Sequence, residues 1–162
     1  MNLIHRIDHY LEEHLNQSIA ELSQLCEQPS VSAQNWGIED TAHLVEKMLK
    51  KRGFETQIIP TDGAPVVTAF RAGRSERTVL FYNHYDVQPP EPLELWASPP
   101  FQPTLRDGML FARGVSDDKG HFTSRLFAID AILAEEGELP CTVKFILEGE
   151  EETSSVHLAP FV

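Results

Sequence analysis

The chain has 162 residues, 41% of them apolar and 23% charged, enough for one domain with a buried core. Its formal net charge is −12, from 25 acidic against 13 basic residues. That balance leaves no basic stripe to displace counterions from a phosphate backbone, so nucleic acid is excluded as a partner. No apolar run approaches the roughly 20 residues that a membrane span needs, so a membrane partner is excluded as well. The opening MNLIHRIDHYLEEHL mixes apolar and charged residues at helical spacing, unlike the apolar centre of a signal peptide. Cys26 and Cys141 are far apart and form no Cys-x-x-Cys pair. Reduced thiols and a cytoplasmic protein are therefore expected.

In chain order, Ile4, Ile7, Leu11 and Leu15 form one helical stripe, continued by Ile19, Leu22 and Leu25/Cys26. The spacing predicts one long amphipathic helix, or two joined near Asn16-Gln17-Ser18, stopped by Pro29. A second helix carries Ala42, Val45, Met48 and Leu49, with Asp40 or Thr41 as cap candidates and Gly53 just past its end. ETQIIPT and VVTAF read as strands. Thr78 to Tyr82 is almost continuously apolar, which suits a strand covered on both faces. The proline-rich QPPEPLELWASPPFQP follows, and its Leu93, Leu95, Trp96 and Phe101 favour a packed loop over a disordered linker. TLRDGMLFA reads as a hairpin turning at Asp107-Gly108. GVSDDKG then opens a helix with Phe122, Leu126, Ile129 and Leu133 on its inner face, ending near Gly137. CTVKFILE is a further buried strand. Strand, helix and strand at this spacing make a parallel βαβ unit, so the expected class is α/β.

Three segments place ionisable residues just after buried elements. In Asn83-His84-Tyr85-Asp86-Val87, His84 and Asp86 are two apart and share a face of the strand. A metal-bound imidazole usually donates its other N–H to a carboxylate or carbonyl, and Asp86 is placed to receive it. Taken alone, such a pair is more often two unrelated surface residues. In Gly114-Val115-Ser116-Asp117-Asp118-Lys119-Gly120, two carboxylates stand at a helix start, where acids are common as caps. One of them turned toward a cleft could instead bridge two cations. In Glu148-Gly149-Glu150-Glu151-Glu152, clustered carboxylates repel unless solvated, protonated or countered by a cation. The conjunction of the three outweighs each bland alternative, because sites in α/β sheets form where strands end. Histidine with carboxylates favours zinc, with manganese or cobalt as alternatives.

NHYDVQP, LWASPPFQPTLRDGMLFARGVSDDKG and EGEEETSS, in that order and spacing, resemble the signature blocks of the M20 zinc peptidases. The likeness is to the dipeptidase branch that includes carnosine-dipeptidase-like enzymes, and it is densest from about Val79 to Ser155. The resemblance implies a central, largely parallel sheet flanked by helices. It implies that His84 ligates one metal and that Asp86 clamps its ring. Asp117 would be the bridging carboxylate, since relatives carry Asp-Met-Lys-Gly there, and Glu152 a terminal ligand. Glu151 would be the general base that takes a proton from a metal-activated water. Two zinc ions would complete the site, acting on a dipeptide or an N-acyl amino acid.

The sequence departs from the family in Thr153-Ser154-Ser155, where relatives have Gly-Ser after the glutamate pair. The resemblance also calls for a further carboxylate and a late histidine, which the 162 residues do not contain. His157 falls where no ligand is expected and reads as a helix residue. Residues 1–162 are therefore expected to be the amino-terminal part of a catalytic domain, lacking the lid domain and the carboxyl-terminal part. The complete enzyme is expected to be a homodimer, while the short chain is expected to self-associate or be poorly soluble, and to lack peptidase activity. The rival reading is a non-catalytic remnant that binds cations weakly or serves as an interaction module.

Overall fold

The computed structural model describes residues 2–161. Among them, the three α-helices are α1 (Leu3–Glu27), α2 (Ile38–Lys50) and α3 (Lys119–Glu136). The six strands are β1 (Glu55–Ile59), β2 (Val66–Arg71), β3 (Thr78–His84), β4 (Thr104–Arg106), β5 (Met109–Phe111) and β6 (Thr142–Glu148).

α1 is continuous through Asn16-Gln17-Ser18, so the single-helix alternative holds. Asn2 caps it by accepting the His5 N–H at 3.0 Å. Of its apolar stripe, Ile4 and Leu15 remain exposed and only Leu25 and Cys26 are fully buried. The reason is position: α1 packs on α3 rather than on the sheet, so it is an outer layer whose carboxyl end alone enters the core. Arg6 fastens its start to Glu135 and Glu136, and Arg52 ties Glu21 to Asp130 on α3.

α2 begins earlier than the expected caps. Gly37, at φ 72°, is its N-cap, and Asp40 lies in the first turn instead. Thr41 is fully inside, its hydroxyl donating to Gly37 O and Pro29 O at 2.8 and 3.1 Å. A glycine there permits the left-handed backbone that brings the chain into the helix. Helix α2 ends where expected, just before Gly53.

Four strands form one sheet in the order β1-β2-β6-β3, and β4 with β5 forms a separate hairpin. β3 and β6 are parallel, with Thr78 opposite Thr142 and His84 opposite Glu148, and α3 is in the crossover between them. The α/β class is therefore confirmed. The sheet is partly parallel: β1–β2 and β2–β6 are antiparallel, so the largely parallel sheet expected above reduces here to one pairing. The hairpin turns at Asp107 (φ 50°) and Gly108 (φ 74°), the left-handed pair that a two-residue turn requires.

The core lies between the sheet and helices α2 and α3. Val67, Ala69, Val143, Phe145 and Leu147 point into it against Val45, Leu49, Phe122, Leu126 and Ile129. Phe145 is central, with the rings of Phe54, Phe81 and Phe122 at 5.6, 5.1 and 5.9 Å. The expectation that Thr78 to Tyr82 is covered on both faces fails. β3 is an edge strand, and Leu80 and Tyr82 are 55% and 46% exposed, because among the described residues no helix lies on its second face.

The proline-rich segment is ordered by specific contacts. The Trp96 indole N–H donates to Pro90 O at 2.7 Å, and Phe101 meets Trp36 edge to face at 5.2 Å. Leu93 and Leu95 depart from the expected packing: they belong to a short 3₁₀ turn that faces solvent, leaving Leu95 79% exposed.

Candidate metal centre

β3 and β6 end side by side, His84 opposite Glu148, and the chain leaves both at the same edge of the sheet. Pairing continues briefly beyond the strands, with Tyr85 N–H donating to Glu148 O at 2.8 Å. The loop after α1 braces the exit: Ser30 Oγ donates to Tyr85 O at 2.7 Å and Val87 N–H to Ser30 O at 2.9 Å. These bonds hold Asp86 and the turn after β6 against each other.

Asp86 is completely buried and serves three groups. Its Oδ1 accepts the Glu151 N–H at 3.2 Å and its Oδ2 the Glu152 N–H at 3.1 Å. The His84 Nδ1 is 3.3 Å from Asp86 Oδ1 and 3.1 Å from the Asp86 backbone oxygen. One carboxylate thus fixes the imidazole and both glutamate backbones, which leaves His84 Nε2 facing outward.

The two aspartates before α3 point apart. Asp118 turns in, its Oδ2 accepting from Asn83 Nδ2 at 2.6 Å and from the His84 N–H at 3.2 Å. It occupies the N-cap position of α3 without a side-chain capping bond, so the ordinary capping role is not the one it plays. Asp117 is mostly exposed and its Oδ1 lies 2.9 Å from His84 Nε2. Glu151 Oε2 is 3.9 Å from the same nitrogen. Gln88 Nε2 donates to Glu152 Oε2 at 2.6 Å.

One donor atom from each of His84, Asp117 and Glu152 lies within 4.8 Å of the others. A small side-chain adjustment closes that spacing onto a single cation, and an imidazole with two carboxylates is a donor set that divalent zinc accepts. Electrostatics point the same way. Burial works against a charged His84 ring, but the hydrogen bond and charge of Asp86, then Asp117 and Asp118, outweigh it and raise the pKa to about 9. The negative field that holds a proton on this ring is the field that draws a metal ion to it.

All five residues singled out in the sequence therefore meet at one edge of the sheet. Three contributors were not foreseen. Lys119 is fully buried, with Nζ donating to Leu25 O at 3.0 Å and Gln28 O at 2.7 Å, so it ties the Asp117 turn to the end of α1. Burial lowers its pKa to about 8. Asn83 holds Asp118. Glu148, 2% exposed, accepts from Tyr82 Oη and from Ser155 Oγ, the latter at 2.8 Å, and so anchors the far side of the glutamate turn. The signal for Lys119 was present in the sequence as a lysine flanked by the Asp pair and a glycine. Its backbone partners, some ninety residues earlier, were not.

The turn itself is unusual. Ser154 and Ser155 both have positive φ, 79° and 51°, at the place where the sequence lacks the expected glycine. His157 lies in a turn and not in a helix as expected. Its Nδ1 is 2.8 Å from Glu150 Oε2, a contact that bends the chain back after the glutamates.

Comparison with known proteins agrees with this geometry. The pattern of peptidase family M20/M25/M40 matches residues 80–160. A succinyl-diaminopimelate desuccinylase of Dechloromonas aromatica (strain RCB) is 36% identical over 123 residues, covering 76% of this chain and 32% of that protein. The structure of human carnosine dipeptidase 1 superposes with a TM-score of 0.92 at 28% identity, over 100% of this chain and 38% of that one. The M20 family metallo-carboxypeptidase Sso-CP2 of Sulfolobus solfataricus gives 0.84 at 39% identity, over 89% and 33%. The chain spans about a third of the length of the curated relatives it matches. The matched segment runs from within β3 to beyond Glu152 and contains the whole residue cluster, and the chain belongs to peptidase family M20/M25/M40.

Proposed function

We propose that this chain supplies the amino-terminal part of a metal-dependent hydrolase that cleaves dipeptides or N-acyl amino acids. The observation that carries the reading is the approach of His84, Asp117 and Glu152 within 4.8 Å, with Glu151 beside them. The names of the relatives, a carnosine dipeptidase and a succinyl-diaminopimelate desuccinylase, support a peptide or acyl-amino-acid substrate. Nucleic acid and membrane are not partners in this reading. Among the described residues no helix is long and apolar enough to cross a membrane. A cytoplasmic location and a homodimeric complete enzyme belong to the same proposal.

His84 Nε2, Asp117 and Glu152 would hold the cation, zinc by donor chemistry with manganese or cobalt as alternatives, and Asp117 would be shared with a second ion in the complete site. Bound there, such an ion supplies Lewis-acid polarisation of the substrate carbonyl and an acidified water. Asp86 keeps the imidazole from rotating away. Glu151, fixed at its backbone by Asp86 and with its carboxylate 3.9 Å from His84 Nε2, takes a proton from water and delivers it to the departing amine nitrogen. By itself the 162-residue chain, with one cluster of donors among the described residues, is proposed to bind a cation without turnover.

Metal analysis of the purified chain and two variants tests the division of labour. Glu152→Gln is expected to lose bound metal, whereas Glu151→Gln keeps it and, in the full-length enzyme, loses most turnover. Equal metal loss in both variants would overturn the two assignments.

A further inference from the structure

Four buried side-chain polar atoms are left without a partner among the described residues, and two of them, Arg106 Nε and Arg113 Nε, belong to side chains that line the same cavity. The cavity holds about 820 Å³ and lies between the proline-rich segment and the β4–β5 hairpin. Its walls are mainly apolar, with Leu95, Trp96, Met109 and Phe111 among them. Each guanidinium stacks on an aromatic wall: Arg106 lies 4.3 Å from the Phe111 ring centre and Arg113 5.2 Å from that of Trp96. Arg113 also donates to Pro89 O at 3.1 Å, which fixes its place, while Arg106 has no comparable tether.

We infer that this cavity binds a small carboxylate with an apolar body. A concave, mostly apolar space with a few polar groups is the form that small-molecule sites take, and its volume falls in their ordinary range. Two positive charges border it in a chain of net charge −12. The one carboxylate at its rim, Glu91, is engaged with Gln34 Nε2 at 3.4 Å. A ligand carboxylate accepts two parallel bonds along the Nε–Nη edge of a guanidinium and, after a small rotation of the side chain, gives the orphaned Nε–H the partner it lacks. The apolar body then covers Trp96 and Met109. Val115 and Ser116, which border the same cavity, immediately precede Asp117, so the site flanks the metal cluster without sharing its residues.

The inference goes beyond the hydrolase reading and does not rest on metal chemistry. The test titrates N-benzoylglycine, and separately its uncharged amide, into the 162-residue protein in the presence of a chelator. Nuclear magnetic resonance follows the Trp96 indole N–H and the arginine Nε–H signals. Saturable shifts are expected with the acid, weakening as salt is added, and the amide should bind about tenfold more weakly or worse. Arg106→Met should weaken the acid to the level of the amide. Absence of saturable shifts, or equal affinity for acid and amide, overturns the inference whether or not the variant folds. A folded Arg106→Met that retains full affinity overturns it too. None of these results bears on cation binding at His84, which is measured separately.

Discussion

The two faces of the four-stranded sheet are built from the same strands and treated in opposite ways. On one, Val67, Val143, Phe145 and Leu147 lie under α2 and α3 and are essentially out of water. On the other, Phe70, Leu80 and Tyr82 remain well exposed, and Ile146 is only partly covered. β3 is apolar toward both faces, yet only one is covered among the described residues. Apolar character records what a strand is able to bury, and the neighbours decide what it does bury.

Substitutions on each face and at the strand ends can break or sharpen this contrast. Phe145→Ala should be the most damaging, costing about 3–5 kcal/mol, because three aromatic rings close around a space that the backbone cannot collapse into. Denaturant unfolding measures it, and a loss below about 1 kcal/mol would mean that the covered face is far looser than its packing indicates.

At the edge where both strands end, Asp86→Ala removes the acceptor of two backbone N–H groups and of the His84 ring. A loss on the order of 3 kcal/mol is expected, together with a tenfold to hundredfold fall in metal affinity, roughly the range for partners of metal ligands. Calorimetry with added zinc reads both, and unchanged metal affinity would show that the ring is held by its other contacts.

Ser154→Gly acts in the opposite direction. The residue stands at φ 79° without the freedom glycine would have, so replacement should stabilise the chain by about 1 kcal/mol. A thermal melt lowered by the change would indicate that the serine side chain contributes more than its backbone costs.

Leu80→Lys on the bare face should alter stability by no more than about 0.5 kcal/mol, and its effect should appear in association instead. Sedimentation velocity is expected to show less self-association than in the parent chain, since an unpaired, apolar strand edge is a site of pairing. Unchanged association would place the contact elsewhere. The smallest effect separates the cysteines. Burial raises the Cys26 thiol to about 11, so it stays protonated and unmodified by an alkylating reagent at pH 8 while the half-buried Cys141 reacts. The thiolate becomes accessible only as pH nears 11, and the same burial means that folding stability declines between about pH 9 and 11.

The sequence alone determined the local and the chemical. Periodicity located the helices and strands, the Asp-Gly turn located the hairpin, and the motif order pointed to His84, Asp86, Asp117, Glu151 and Glu152, because these signals are carried by neighbours within a few residues. The roles proposed for those five rest on the metal and turnover tests above. Tertiary structure decided the rest. It placed β3 at an edge, gave Asp118 to Asn83 and His84 while leaving Asp117 outward, and buried Lys119 against carbonyls at the end of α1. It also turned Leu95 outward and His157 back onto Glu150. Each of these depends on which distant segment lies alongside. Residues with the same local pattern are buried or exposed, paired or free, according to partners that lie far away along the chain.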